Sequence, residues 1–141
     1  MTFTEDLKLG NEYEKKALDY INKYKTVVFS KGCFKPYDFI IDEEIKYEVK
    51  CDRLGYKTGN LAIEYECNNK PSGISTTEAD YWIYFIISPN KTDCYKIPVS
   101  DLHNLINNCR KVRGGDNYKS NLRLLPIKQC SKYFQPRLRV S

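Results

Sequence analysis

Residues 36–51 read Pro36-Tyr37-Asp38-Phe39-Ile40-Ile41-Asp42-Glu43-Glu44-Ile45-Lys46-Tyr47-Glu48-Val49-Lys50-Cys51. Three acids, Asp42, Glu43 and Glu44, separate two strand-length runs, and this pattern predicts a β-hairpin with its turn at 42–44. Pro36 can open the first strand but cannot sit inside it. Side chains alternate along a strand, so Glu48 and Lys50 share one face and Val49 takes the other. With that turn, Asp38 pairs near Glu48. Opposed Cβ atoms of an antiparallel pair lie about 5 Å apart. One face of the hairpin then gathers two carboxylates and one ammonium.

Two carboxylates at that separation repel unless a cation or a shared proton compensates them. A hard divalent ion with oxygen ligands is the natural compensation. Such an ion can activate water and neutralise charge building on a phosphate, and a lysine beside it can orient the water or stabilise the phosphate oxygens. The competing reading is a solvated hairpin with a Glu–Lys pair on an open sheet face. The surroundings argue against it. Asp38 lies among Tyr37, Phe39, Ile40 and Ile41, and Glu48 between Tyr47 and Val49. A carboxylate buried in such a setting is costly unless something pairs it.

Working outward, residues 4–24 carry Leu7, Leu9, Tyr13, Ala17, Leu18, Ile21 and Tyr24 at helical spacing. A short β-branched strand is expected at 26–29. Residues 52–59 read as a charged, glycine-containing loop, and 61–67 as a third strand of the hairpin's sheet. Glu64 and Glu66 share a face of that strand. If it is the face of Asp38 and Glu48, Glu64 is a further metal-ligand candidate; a solvated strand face is the alternative. The polar stretch 68–77, with Pro71 and Gly73, cannot be regular throughout. A helix start is expected at 77–80. Residues 81–87 are the most apolar run and predict a buried strand, in which Trp82 and Tyr84 read as core. A strand at 94–98, a helix at 100–109, a joint at 114–117 and a strand at 122–127 follow. The order is that of an α/β (α+β) domain whose sheet carries most of the carboxylates.

Composition agrees with one globular domain. The 141 residues are 41% hydrophobic and 29% charged, which excludes a disordered chain, a collagen-like repeat and a disulfide miniprotein. No apolar run approaches the ~20 residues that span a bilayer, so no membrane partner is expected. The first residues include early acids and no apolar stretch, unlike a signal peptide. The six cysteines have no zinc-knuckle spacing, and free thiols in the cytoplasm are expected. Residues 1–109 hold 14 Lys/Arg against 17 Asp/Glu; residues 110–141 hold nine against Asp116 alone. An acidic body, 1–109, and a basic C-terminal extension, 110–141, packed on the same domain suggest a positive surface meeting a polyanion.

Pro36-Tyr37-Asp38 followed by Glu48-Val49-Lys50 resembles the PD-(D/E)XK nuclease superfamily. In the first helix, Glu14-Lys15-Lys16-Ala17-Leu18-Asp19-Tyr20-Ile21 resembles the Glu-x-x-Ala-x-x-Tyr-Leu of its Holliday junction resolvase-like and viral or phage branches. The resemblance covers about residues 9–87. It implies a restriction-endonuclease-like core, α-β-β-β-α-β, with a central mixed sheet flanked by helices. It implies that Asp38 and Glu48 bind Mg²⁺, with Mn²⁺ able to substitute, that Lys50 completes the site, and that Glu14, rather than Glu12, is the helix acid. The function implied is DNA endonuclease, structure-selective on branched DNA, acting as a homodimer where both strands are cut. The loop 68–77, through Lys70, Ser75, Thr76 and Thr77, and the basic Arg110, Lys111 and Arg113 are candidates for backbone phosphates. An RNA endonuclease with the same site and a non-catalytic nucleic-acid-binding module are the alternatives.

Overall fold

The computed structural model describes residues 3–21, 23–32 and 35–136. Helix α1 (Phe3–Ala17) runs into a 3-10 turn (Leu18–Tyr20). Strands β1 (Val27–Phe29), β2 (Phe39–Ile41) and β3 (Ile45–Asp52) follow, then the short helix α2 (Gly55–Thr58). Next come β4 (Asn60–Cys67), β5 (Lys70–Pro71), a 3-10 turn (Gly73–Ser75), β6 (Tyr81–Ile87), β7 (Thr92–Pro98) and α3 (Val99–Ile106). The described chain closes with β8 (Arg110–Gly114), β9 (Ser120–Pro126), a 3-10 segment (Ile127–Tyr133) and β10 (Phe134–Gln135).

The expected hairpin forms in the expected register. Phe39 pairs with Tyr47, Ile40 with Lys46 and Ile41 with Ile45. Asp42 and Glu43 adopt φ of 51° and 57°, the left-handed pair that matches a tight turn to the strand twist. Asp42 also pins the start of β1: its Oδ1 accepts the N–H groups of Lys25 at 2.7 Å and Thr26 at 2.8 Å. Those donors, Thr26 foremost, hold its carboxyl below the usual range.

The strands form a mixed sheet, β1-β2-β3-β6-β7-β10, and an antiparallel one, β5-β4-β9-β8. The β3–β6 pair is parallel. This corrects the expectation that 61–67 joins the hairpin's sheet. Strand β3 already has β2 on one side and β6 on the other, so β4 pairs with β5 and β9 in the second sheet. Three other expectations shift. The first helix ends at Ala17 because the chain unwinds to an extended Ile21. The turn expected at 77–80 falls earlier, at Gly73–Ser75, and the loop 52–59 contains α2.

Each face of the mixed sheet carries its own core. On one, Phe39, Ile41, Tyr47, Ile83 and Phe85 pack against Tyr13 and Ala17 of α1. On the other, Trp82, Tyr84, Ile86, Tyr95 and Ile97 meet Leu61, Ile63 and Leu125 of the second sheet and Leu102 and Ile106 of α3. Trp82 and Tyr84 are therefore core residues. Residues 110–136 belong to these layers, since β8 and β9 extend the second sheet and β10 closes the mixed sheet against β7. Arg137 and Arg139 of the basic run lie outside the described residues, as does Cys33. Among the described residues Cys51, Cys67, Cys94, Cys109 and Cys130 are free, and no helix is long and apolar enough to cross a membrane.

Candidate active site

Asp38 sits one residue before β2, and the hairpin register continued by that residue places it opposite Glu48. Its backbone is fixed on both sides. Its N–H donates to the Tyr47 carbonyl at 2.8 Å, and its carbonyl accepts the Ser30 N–H at 2.8 Å. Its side chain, about one-tenth exposed, turns Oδ2 onto the Val49 N–H at 2.7 Å. This bond satisfies an amide of β3 that β2 is too short to reach.

Glu48 lies alongside, within hydrogen-bonding reach of the Asp38 carboxyl. Burial, with the Asp38 charge and hydrogen bond added, outweighs the pull of Lys50 and pushes the Glu48 carboxyl up to about 8. Lys50 follows on the same face of β3, its Nζ 5.0 Å from the ring centre of Trp82. A cation over an indole face is stabilised where water is scarce. On the same face, paired in register with Lys50, the buried Tyr84 hydroxyl is raised by burial first and then by Asp52, Glu48, Cys130 and Glu64.

Glu14 enters from α1. It is 9% exposed, and burial, then the Asp38 charge, raise its carboxyl despite Lys35. Glu12, two residues earlier, stays on the surface in an exposed pair with Lys16. The link between Glu14 and the hairpin is a residue the sequence reading did not single out. Lys35 Nζ lies 3.4 Å from Glu14 Oε1 and 3.4 Å from Asp38 Oδ1. The two carboxylates outweigh the cost of its burial and raise its pKa. Its signal in the sequence was a cation three residues before an acid in apolar surroundings.

The other candidates take different positions. Glu64 is in the second sheet, where its Oε1 accepts the Ser120 hydroxyl at 2.6 Å. Ser75 Oγ donates to the Tyr65 carbonyl at 2.8 Å, and Thr77 Oγ1 accepts the Trp82 indole N–H at 3.1 Å. Thr76 Oγ1 donates to the Gly73 carbonyl at 3.4 Å. Ser75 and Thr77 hold the loop 68–77 against β4 and β6, and Thr76 bonds within it, while Lys70 stands exposed on β5. Arg110, Lys111 and Arg113 are exposed on β8, the edge of the second sheet.

Chemically, the site is a buried, over-acidic cluster whose charge is offset by the internal ammonium of Lys35 and by the raised carboxyl of Glu48. Hard oxygen donors of this kind suit Mg²⁺ or Mn²⁺. Among the described residues, no three His, Cys, Asp or Glu side chains are already drawn together around one metal position. Asp38 and Glu48 are the pair that fit an ion, with Glu14 next to them across Lys35. No protein-family model and no curated protein matches this chain.

Proposed function

We propose that this protein is a Mg²⁺-dependent endonuclease of the PD-(D/E)XK type that hydrolyses phosphodiester bonds of branched DNA. The observation that carries this is Asp38 opposed to Glu48 across the hairpin, with Lys50 two residues further on the same face of β3. The strand arrangement supports it: a first helix, three antiparallel strands and then β6 parallel to β3. The departure from the expected core lies in the crossover, where α2 and strands of the second sheet stand in place of a full helix.

Asp38, Glu48 and Glu14 would hold the ion, which supplies charge neutralisation at the phosphate and a more acidic bound water. The chain's own residues do the rest. The Val49 N–H fixes the Asp38 carboxylate, so one ligand is pre-positioned. Lys50, held over Trp82, presents an ammonium to the attacking water and to the charge that develops on the phosphate oxygens. Lys35 keeps Glu14 and Asp38 together by offsetting their repulsion. The exposed Arg110, Lys111 and Arg113 of β8 supply phosphate contacts. One cluster of this kind among the described residues favours a homodimer for cutting both strands of a junction. The free thiols favour a cytoplasmic setting.

Incubation with labelled duplex, single-strand, flap and four-way-junction DNA, with and without Mg²⁺, tests the reading. Metal-dependent cutting of the branched forms is expected. Cutting of the RNA counterparts alone would make the enzyme a ribonuclease, and binding without cutting would make it a non-catalytic module.

A further inference from the structure

The β8–β9 hairpin ends in a tight turn, closed by the Tyr118 N–H on the Gly115 carbonyl at 3.2 Å, whose backbone is unusual. Gly115, Asn117 and Tyr118 have φ of 73°, 56° and 54°. Glycine and asparagine enter this left-handed region readily; an aromatic residue does not. Tyr118 is also 71% exposed, more than any other large hydrophobic side chain described. An aromatic side chain left mostly exposed on a left-handed backbone is a candidate contact for something outside the molecule.

The stalk beneath it is firmly held. Arg123 Nη1 donates to the Cys109 carbonyl at 2.8 Å and ties the base of the hairpin. Ser120 Oγ donates to Glu64 Oε1 at 2.6 Å, and Asn121 Nδ2 donates to Glu66 Oε1 at 2.7 Å. The Asn68 N–H reaches the Lys119 carbonyl at 3.0 Å. Strand β9 is thus fastened to β4 up to the turn, and Tyr118 is presented from a pre-organised support. The hairpin is basic as well. Arg110, Lys111, Arg113 and Lys119 are all exposed, and Asp116 is the one acid in residues 110–121.

An exposed ring at the tip of a basic hairpin complements one kind of polyanion. Phosphates meet the lysines and arginines, and a base face meets the ring. In duplex DNA those faces are already stacked on neighbours, whereas an unpaired strand offers them freely. We propose that the β8–β9 hairpin binds unpaired single-stranded nucleic acid, with Tyr118 stacking on a base and Arg110, Lys111, Arg113 and Lys119 holding the flanking phosphates. This rests on the proposed nucleic-acid substrate but not on the acid cluster, and it places the single-stranded arm of a branched substrate on the second sheet.

The test is binding of the full chain to labelled oligo(dT) and to duplex DNA, followed by fluorescence anisotropy with EDTA present. Tyr118→Ala should weaken oligo(dT) binding about tenfold and leave duplex binding unchanged. Tyr118→Phe should keep both. Tyr118→Trp should be quenched by oligo(dT) and not by an abasic strand of the same length. Tyr118→Asn relieves the backbone strain, so it should melt at or above the wild-type temperature while losing the single-strand preference. Equal oligo(dT) affinity for wild type and Tyr118→Ala, or equal quenching by the abasic strand, would overturn the proposal. So would a large drop in melting temperature in Tyr118→Asn, which would make the ring structural. Binding with EDTA and cleavage with Mg²⁺ are scored separately: metal-dependent cutting without a Tyr118 effect on binding defeats this proposal alone, and a Tyr118 effect on binding without metal-dependent cutting defeats the nuclease alone.

Discussion

Asp38 Oδ2 accepts the backbone N–H of Val49 at 2.7 Å. The acid before one strand is thereby bonded to the other strand at the residue between Glu48 and Lys50. Charge and hydrogen bonding at Asp38 can be separated by substitution. Asp38→Asn keeps an acceptor for Val49 and loses the charge that faces Lys35, so it should destabilise less than Asp38→Ala. It should lose the rise in melting temperature that Mg²⁺ gives the wild type through binding to the folded state. Asp38→Ala leaves a half-buried amide unpaired and should cost about 1–3 kcal/mol in denaturant melts. If Asp38→Asn kept its Mg²⁺ shift, Asp38 would not be a ligand.

Lys35 is the internal counter-charge of Glu14 and Asp38. Lys35→Met should destabilise the metal-free protein by about 1–3 kcal/mol at pH 8, because bonds to charged groups are worth that much. Mg²⁺ should restore most of the loss, giving this variant a larger metal-induced melting shift than wild type. A loss that metal does not reduce would make Lys35 a packing residue.

The pH dependence of stability follows from Glu48, whose carboxyl is raised from its ordinary 4.5 to about 8. The folded state then binds the proton more tightly than the unfolded chain. The stability this supplies is complete below about pH 4.5 and is lost as pH rises through about 8. In metal-free protein the stability should fall steadily across that window. Glu48→Gln carries no titrating group and should flatten the profile over that window. Chemical denaturation at a series of pH values measures it, and identical slopes for variant and wild type would contradict the assignment.

Gly73 lies where the loop 68–77 crosses β4. Its φ is +54°, and a Cβ there would collide with the Glu64 carbonyl oxygen and stand 2.9 Å from the carbonyl carbon. Both are backbone atoms, so the clash cannot be relieved by a rotamer change. Gly73→Ala should cost about 2–4 kcal/mol, from left-handed strain and forced separation of the loop from β4. A melting temperature equal to wild type would show that the loop is not seated as described.

The hairpin was legible because its register depends on local signals, a three-acid turn and period-two alternation. The same alternation misplaced β4. It says which side chains share a face but not which strand lies alongside, and β6, thirty residues on, took the open edge of β3 through a parallel pairing. Glu64 was drawn toward the site by that error and in fact bonds Ser120. Lys35 was missed for a related reason. It sits in a connection with no periodicity, and its role appears only when α1 and β2 bring Glu14 and Asp38 to the same ammonium.

The most direct measurement is the single-turnover rate of four-way-junction cleavage by wild type and Lys50→Ala at saturating protein, with Mg²⁺ and with EDTA. The account predicts cutting by the wild type with Mg²⁺, none with EDTA, and a loss on the order of 100-fold or more in Lys50→Ala at unchanged melting temperature. Cutting that is equal in the variant, or no cutting of any DNA by a folded, Mg²⁺-loaded wild type, would contradict it.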